Sequence, residues 1–371
     1  MALIEYKKIA HLREERIAEL KRLRVTGKKV VGYFCLYVPV EVIQASGAVP
    51  IRLARGDNSA ALLGERHLRP DACPFCKSTL GKLTTDPLYQ LADALVFVNT
   101  CDMMRRLPEV VRNVVDIPVF QIYLPRTAED FPNRLNEFLR QLEKMMNFLK
   151  TLTGVDGLPR LTSTITEYNR LRQALKALDE TRIQEPPPVK GSEILDLVLL
   201  ATLLKSEDVI ELISEKMPHQ PVNSQPALPR VLLAGSILTE EDRRTITLLE
   251  KELAIVADTI CTGTRFFTET VEVKDDPLIA LANYYFNLIP CAFRRPNDRL
   301  YDFTHKLIAE RLVQGIIYKT LLYCDPWRFE VQTHRTKLQL PVLEIDSDYS
   351  EKNYQQLRTR IEAFAEMLKS K

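Results

Sequence analysis

Seven cysteines are the residues of this chain best suited to chemistry, and several follow apolar segments that read as buried β-strands. The runs VVGYFC, ALVFVNTC and ADTIC end at Cys35, Cys101 and Cys261, and the more polar run GIIYKTLLYC ends at Cys324. In an open parallel sheet, ligands bind in the crevice outside the carboxyl ends of the strands. Thiolates gathered there favour an iron–sulfur cluster or zinc over magnesium or calcium.

The other three cysteines leave several functions open. Cys73 and Cys76 form a C-x2-C motif, and Cys291 follows a proline in a basic loop. A zinc ribbon or finger needs a second ligand pair at short spacing, which none of the five histidines supplies. A thioredoxin-type redox pair is an alternative, because the motif begins a predicted helix and helix N-termini lower thiol pKa. Cysteines can also be small core residues, but their position at strand ends and loop–helix junctions favours cluster ligation.

Length, charge and hydropathy restrict the class of protein. A chain of 371 residues is too long for one ordinary core, so two domains plus extra helices are expected. The net charge of +2 argues against nucleic acid or a membrane surface as the main partner. The N-terminal segment has the charged pattern of a helix rather than a secretory signal. We therefore expect a cytoplasmic protein, where cysteines serve as ligands or catalytic thiols more often than as disulfides.

Strand and helix patterns alternate in both halves of the chain, which predicts an α/β fold. We expect two Rossmann-like or flavodoxin-like parallel-sheet domains plus an additional helical segment, with boundaries at 1–127, 128–229 and 230–371. The predicted strands are 29–34, 49–53, 94–98, 119–124, 230–234, 255–258, 316–323 and 342–345. The helical segment contains predicted helices at 128–152, 163–178 and 192–204, followed by a loose stretch at 218–229.

Seven sequence blocks, in order, carry a resemblance to a known family. They are GYFCLYVPVEVIQASGAVPIRL, CPFCKSTLG, FVNTCDMMRRLPE, VADTICTGTRFF, IPCAFRRPNDR, GIIYKTLLYCDPW and the C-terminal block PVLEIDSDYSEKNYQQLRTRIEAFAEML. Over nearly its whole length the chain resembles the 2-hydroxyacyl-CoA dehydratase and benzoyl-CoA reductase family. One departure is Met103, where the family often has glycine.

The resemblance implies an iron–sulfur cofactor. A simple dehydratase subunit of this family holds one [4Fe–4S] cluster with three cysteines, which by motif are Cys35, Cys73 and Cys324 here. Cys101, Cys261 and Cys291 also fall in family-like blocks. That pattern of six is similar to the double-cubane branch, in which six cysteines hold an [8Fe–9S] cluster. Cys76 is then the expected spare, with Cys261 the next candidate to be dropped.

The resemblance to this branch further implies a low-potential reductase of a small molecule. Such proteins are homodimers, and a separate ATP-hydrolysing [4Fe–4S] activase supplies their electrons. Neither a nucleic acid nor a membrane is expected as a partner. Glu41, Lys77 and Arg265 are candidate catalytic proton donors, because each lies close in sequence to a predicted ligand, although ordinary salt bridges would also account for them. His305 is expected to be an ordinary helix residue.

Three alternatives stay open, one of which is a zinc protein that would be colourless when purified. The chain could be a 2-hydroxyacyl-CoA dehydratase or aryl-CoA reductase subunit with a single [4Fe–4S] cluster, usually paired with a related second chain. It could also be a non-catalytic electron-transfer partner, in which case its cluster would be coordinatively saturated. The chain has 12 glycines but no Gly-rich phosphate-binding motif. The lack of such a motif is weak evidence against the CoA-dependent alternative, because a CoA groove does not require a Gly-rich loop.

Overall fold

Two four-stranded sheets, each entirely parallel, form the framework of the protein. The structure is a computed structural model that describes residues 6–129, 133–217, 228–350 and 353–370. The predicted α/β fold class with two parallel sheets is confirmed. The three domain boundaries stay a prediction, and most of the predicted loose stretch 218–229 lies outside the described residues.

The elements follow the alternation expected from the sequence. The strands are β1 (Val30–Tyr33), β2 (Val49–Arg52), β3 (Ala94–Val98), β4 (Val119–Ile122), β5 (Arg230–Gly235), β6 (Ala254–Asp258), β7 (Gly315–Leu321) and β8 (Val342–Ser347). The first helices are α1 (Tyr6–Val25), α2 (Val40–Ala45), α3 (Asn58–Gly64), α4 (Pro74–Thr85), α5 (Asp102–Val111), α6 (Arg134–Thr153) and α7 (Leu161–Glu180). The later helices are α8 (Gly191–Ala201), α9 (Ser206–Lys216), α10 (Arg243–Leu249), α11 (Pro277–Phe286), α12 (Asp298–Glu310), α13 (Asp325–Leu338) and α14 (Tyr354–Lys369).

Both sheets have the same strand order. The N-terminal sheet runs β2-β1-β3-β4 and the C-terminal sheet runs β6-β5-β7-β8. In such a flavodoxin-like order the crevice that binds ligands opens between the first and third strands, where the strand order reverses. Strands β1, β3, β5 and β7 are buried along their whole length, which explains their continuous apolar sequences.

Helices α3 and α4 cross closely because glycines face each other's backbone. A Cβ atom on Gly64 would lie 2.0 Å from the carbonyl oxygen of Lys77, and one on Gly81 would lie 2.1 Å from that of Ala60. Both positions therefore exclude a side chain. This contact fixes the position of α4, whose N-cap residue is Cys73.

The helical segment and the two sheets are joined by buried ion pairs. Arg172 on α7 pairs with Glu41 on α2, and Arg311 pairs with Asp179 at the end of α7. A partly exposed pair adds to these, since Arg55, after β2, lies 3.3 Å from Glu240 in the C-terminal half. Among the described residues, no helix combines the length and apolarity needed to cross a lipid bilayer.

Candidate metal centre

All seven cysteines line one cavity of about 120 Å³, to which both halves of the chain contribute. Each enters it from a strand end or a loop–helix junction. Cys35 follows β1, Cys101 follows β3, Cys261 follows β6 and Cys324 follows β7. The crevices of both sheets therefore open into the same space. Phe34, Phe75, Leu321 and Trp327 complete much of its apolar wall.

Three of the cysteines stand at helix N-termini. Cys73, Cys101 and Cys324 are the N-cap residues of α4, α5 and α13. The backbone N–H of Met104 donates a hydrogen bond to Cys101 Sγ at 3.4 Å. Unpaired N–H groups and the helix dipole at these positions stabilise negative charge, so the backbone favours the thiolate form that binds metal.

The thiols fall into two groups of electrostatic neighbours. The first trio is Cys35, Cys261 and Cys291. Burial raises the pKa of Cys35 to about 12, and the neighbouring Cys261 and Cys291 also raise this pKa. Burial likewise raises the pKa of Cys291, with Cys261 as a further cause.

The second trio is Cys73, Cys101 and Cys324. Burial raises the pKa of Cys101 to about 12, and Cys73 and then Cys291 contribute in the same direction. Burial raises the pKa of Cys324 well above its ordinary value, with Cys73, Cys101 and Cys291 as further causes. Cys291 is therefore an electrostatic neighbour of both groups. Each trio thus combines cysteines from both halves of the chain. The high pKa values mean that adding several negative charges here requires compensating positive charge.

Buried cations supply that compensation next to the first trio. Arg52 donates to Cys261 Sγ at 3.4 Å and to the Cys261 carbonyl oxygen at 2.9 Å. Arg265 is 1% exposed and donates to the carbonyl oxygen of Ile289 at 2.8 Å. Its Nε and Nη1 atoms have no hydrogen-bond partner within the described part of the chain. The charge of Arg265 opposes the effect of burial on the pKa of Cys291.

A different cation serves the second trio. Lys319, in the middle of β7, is 1% exposed, and its Nζ lies 2.7 Å from Asp242. The Lys319 charge is one cause of a lowered pKa at Cys73, where the largest cause is a hydrogen bond from Cys76. Because Lys319 is already paired with a carboxylate, the second trio receives less unbalanced positive charge than the first.

The donor set fits an iron–sulfur group. The seven cysteines are free thiols, and the apolar cavity that they line also holds guanidinium N–H groups of Arg52 and Arg265 that have no hydrogen-bond partner among the residues that the structure describes. In the described ranges, no three or more His, Cys, Asp or Glu side chains are arranged to hold a metal ion. A [4Fe–4S] cluster with four cysteines takes one thiolate for each iron, so its ligands need not converge on one point. The fit rests on the thiols, the cavity and the cations together.

Cys76 differs from the other six cysteines. It is 1% exposed, whereas the others keep partly exposed surface towards the cavity. Its thiol has two sulfur neighbours, Met104 Sδ at 3.8 Å and Cys73, whose hydrogen bond is the largest cause that raises the Cys76 pKa well above its usual range. One S–H proton serves one acceptor at a time. A Cys76 thiol that donates to Cys73 is suited to stabilise Cys73 as a cluster ligand. That Cys76 itself does not bind the cluster stays a prediction.

The three candidate proton donors lie in different surroundings. Arg265 lines the cysteine cavity. Lys77 pairs with Glu65 at 2.7 Å, and Glu41 is fully buried between Arg172 and the hydroxyl of Tyr285. Neither Glu41 nor Lys77 is among the described residues that line the cavity. Their contacts are those of structural ion pairs, and a catalytic role for any of the three stays a prediction. His305 is exposed on α12.

The sequence interpretation missed two residues of the site, Arg52 and Lys319. A signal for each was present. Lys319 interrupts the apolar run GIIYKTL, and Arg52 closes the strand VPIR. A cation inside a buried strand needs a partner, so each position indicated a nearby anionic group.

Comparison with known proteins identifies relatives along nearly the whole chain. The family described as 2-hydroxyglutaryl-CoA dehydratase, D-component, matches residues 35–368. The protein YjiM of Escherichia coli (strain K12), whose name proposes that it is a dehydratase subunit, is 27% identical over 362 residues, 93% of each chain. The (R)-phenyllactyl-CoA dehydratase beta subunit of Clostridium sporogenes is 24% identical over 370 residues, 94% of each chain. A benzoyl-CoA reductase subunit of Thauera aromatica is 22% identical over 310 residues, 81% of this chain and 79% of that protein.

Proposed function

The chain belongs to the 2-hydroxyglutaryl-CoA dehydratase D-component family, and from that membership we propose that it is a low-potential reductase whose cysteine cavity holds a double-cubane [8Fe–9S] cluster. The observation that carries the proposal is that seven thiols from both halves of the chain line one cavity. Each trio would hold one cubane, and Cys76 would hold neither. A single [4Fe–4S] cluster takes at most four thiolates, which would leave three of the seven cysteines without a role.

The residues of the chain have separate tasks in this proposal. The cluster supplies low-potential electrons when it is bound. The apolar walls exclude water, which tunes the potential of an iron–sulfur centre. Arg52 and Arg265 hold positive charge against the first trio, and Lys319 does so more weakly against the second. Backbone N–H groups in the first turns of α4, α5 and α13 are among the causes that lower the pKa of Cys73, Cys101 and Cys324, and they favour the charged form of these thiols.

The proposal includes partners that the family resemblance implies. A separate ATP-hydrolysing [4Fe–4S] activase would deliver electrons, and two copies of the chain would form a homodimer. The substrate would be a small molecule. We further propose that the protein works in the cytoplasm, where its thiols stay reduced.

A second function is favoured by the names of the relatives, which include a dehydratase beta subunit and a reductase subunit. In that alternative a single [4Fe–4S] cluster would be held by Cys35, Cys73 and Cys324. The number of thiols argues against it, because a cluster held by these three residues would leave four of the seven cysteines that line the cavity without a role.

Iron and sulfide analysis of protein purified without oxygen tests the proposal. About eight irons per chain would support the double cubane, about four would support the single cluster, and a colourless, iron-free protein would refute both. Cys101→Ser should then remove about half of the iron. Cys76→Ser is the matched control, since this thiol lines the same cavity, and it should leave the iron content unchanged. Full iron content in the Cys101→Ser variant would remove Cys101 from the ligand set.

A further inference from the structure

Cys73 and Cys76 form a close pair at the start of α4. Cys73 is the N-cap residue, Pro74 and Phe75 occupy the first two helical positions, and Cys76 occupies the third. Side chains at the N-cap and at the third helical position meet, as they do in a capping box. The hydrogen bond from the Cys76 thiol is the largest of the causes that lower the pKa of Cys73, so the two sulfur atoms are neighbours.

The two thiols differ in their access to solvent. Cys73 keeps partly exposed surface, whereas Cys76 is 1% exposed. A reagent from solution therefore meets Cys73 first, and Cys76 lies behind it. An accessible thiol at a helix start, with a second thiol poised to resolve it, is the arrangement of C-x2-C sites that undergo reversible oxidation.

The segment that carries both thiols is held in place by its neighbours. Lys77, next to Cys76, donates to the carbonyl oxygen of Pro70 at 2.9 Å and pairs with Glu65 at 2.7 Å. The contact with Pro70 fastens the loop that leads into Cys73 to the helix that carries Cys76. Helix geometry places Cα atoms three positions apart at about 5 Å, within the roughly 4.4–6.8 Å that a disulfide requires. A bond between the two sulfur atoms therefore fits the fold as it stands.

We propose that Cys73 and Cys76 are a redox-modification site, which a small disulfide converts to an intramolecular disulfide when Cys73 is not bound to metal. Cys73 attacks one sulfur of the small disulfide, forms a mixed disulfide and releases one thiol. Cys76 then loses its proton, attacks the Cys73 sulfur and displaces the second thiol. The two cysteines lose two electrons and two protons, and the two released thiols carry both. Dithiols reverse the reaction by the same exchange.

The modification gives a role to the cysteine that the proposed cluster does not use. An oxidised pair cannot supply Cys73 to the second trio, and a metal-bound Cys73 is in turn protected from oxidation. A disulfide also keeps Cys73 from the sulfinic and sulfonic acid states, which are not readily reversed. The disulfide itself depends only on the two thiols and not on the proposed function. Its protection by a bound cluster does rest on that function.

Peptide mapping tests the site. Trypsin cuts after Arg66 and Lys77 but not before Pro70, so one peptide, residues 67–77, carries both cysteines. The full-length chain is freed of iron by a chelator under reducing conditions, and far-ultraviolet circular dichroism checks that it keeps the fold of the holoprotein. It is then exposed to bis(2-hydroxyethyl) disulfide, a small neutral reagent, and the remaining thiols are alkylated.

The proposal predicts that this peptide becomes lighter by two hydrogen atoms and carries no alkyl group. Dithiothreitol should restore both thiols. Two alkylated cysteines in the peptide would overturn the proposal, and so would a disulfide that links the peptide to another cysteine of the chain.

Two serine variants separate the roles of the thiols. In Cys76→Ser the reaction should stop at the mixed disulfide between Cys73 and the reagent, because no resolving thiol remains. Cys101→Ser is the matched control, since it removes a different thiol of the same cavity, and it should form the Cys73–Cys76 disulfide like the unaltered chain. A Cys76→Ser variant without an adduct on Cys73 would overturn the attack at Cys73.

The holoprotein distinguishes this inference from the proposed function. In protein purified with its iron, the disulfide should form about tenfold or more slowly than in the iron-free chain, because a metal-bound sulfur is not a free nucleophile. Equal rates in iron-loaded and iron-free protein would overturn the protection. A chain that never contains iron would refute the proposed function, and the peptide map would then accept or reject the disulfide by itself.

Discussion

The buried ion pair between Arg172 and Glu41 gives a prediction whose size follows from the structure. Arg172 is 2% exposed and Glu41 is fully buried. Arg172→Met would leave the Glu41 carboxylate with the Tyr285 hydroxyl, which donates to it at 2.8 Å. Removing one partner of a buried pair typically costs about 3–5 kcal/mol, because the remaining charge stays buried. The lost contact between the guanidinium and the Tyr284 ring, at 4.8 Å, adds about 0.5–1 kcal/mol.

Removing both charges should cost less than removing one. In the double variant Glu41→Leu with Arg172→Met, neither charge is left unpaired, and buried pairs replaced by apolar residues of similar volume are often neutral in stability. We therefore expect the double variant to be more stable than Arg172→Met by about 2 kcal/mol or more. Arg170→Met is the control, since Arg170 is exposed on the same helix, and a surface change of this kind stays within about 0.5 kcal/mol.

Urea unfolding followed by far-ultraviolet circular dichroism measures these differences. All four proteins are purified without oxygen and compared at equal iron content, because a bound cluster stabilises the folded chain. Two results would refute the reasoning. One is an Arg172→Met variant within about 1 kcal/mol of the unaltered protein. The other is a double variant as unstable as the single one, which would mean that packing rather than charge determines the loss.

Two further predictions concern pH and packing. Burial raises the pKa of Asp196 to about 6 from an ordinary 3.8, so its contribution to stability is complete below the ordinary value and is lost as the pH rises through 6. This loss of stability amounts to about 3 kcal/mol at most. Between pH 4 and 7 the urea midpoint of Asp196→Asn should therefore fall less than that of the unaltered protein. Gly81→Ala should cost about 1–3 kcal/mol, because its Cβ would meet the Ala60 carbonyl oxygen at 2.1 Å. The same change should lower the iron content, since it displaces α4 and with it Cys73. An unchanged iron content and an unchanged urea midpoint would contradict the inference that the crossing of α3 and α4 positions Cys73.

The sequence predicted the sheets well because buried parallel strands leave a strong signal. Strand β3 occupies Ala94–Val98, the residues expected from the apolar run. Helices α3 and α9 were not predicted. Helix α3 has only 7 residues, and it depends on the Asp57 cap and on its crossing with α4, neither of which gives a periodic pattern.

The cysteines of the candidate site could be predicted from the sequence, but the buried charged residues around them could not. A cysteine after a strand is visible in the sequence, because parallel strands end at one edge of the sheet. The partner of a buried cation is not visible in this way. Arg52 reaches Cys261 across 209 positions of the chain, and Glu41 reaches Arg172 across 131. Those contacts exist only after the two sheets and the helical segment have packed together.

The two sheets match in strand order but not in which strand ends carry cysteine. Cys101 and Cys324 hold equivalent positions, three residues after β3 and β7. The position of Cys35 after β1 corresponds to Ile237 after β5, and that of Cys261 after β6 corresponds to Arg55 after β2. The trios therefore have unequal surroundings. Two guanidinium groups face the first trio, and one ammonium group, already paired with Asp242, faces the second.

This inequality predicts that Arg265 tunes the potential of the bound cluster more than Lys319 does. A unit charge at ~8 Å in a medium of effective dielectric constant ~20 contributes about 2 kcal/mol, which corresponds to about 90 mV for one electron. Arg265→Gln should lower the reduction potential by an amount of this order. Lys319→Gln should lower it less, because the Asp242 carboxylate already offsets much of the Lys319 charge. Redox titration monitored by electron paramagnetic resonance measures both, and equal shifts in the two variants would contradict the unequal distribution of charge.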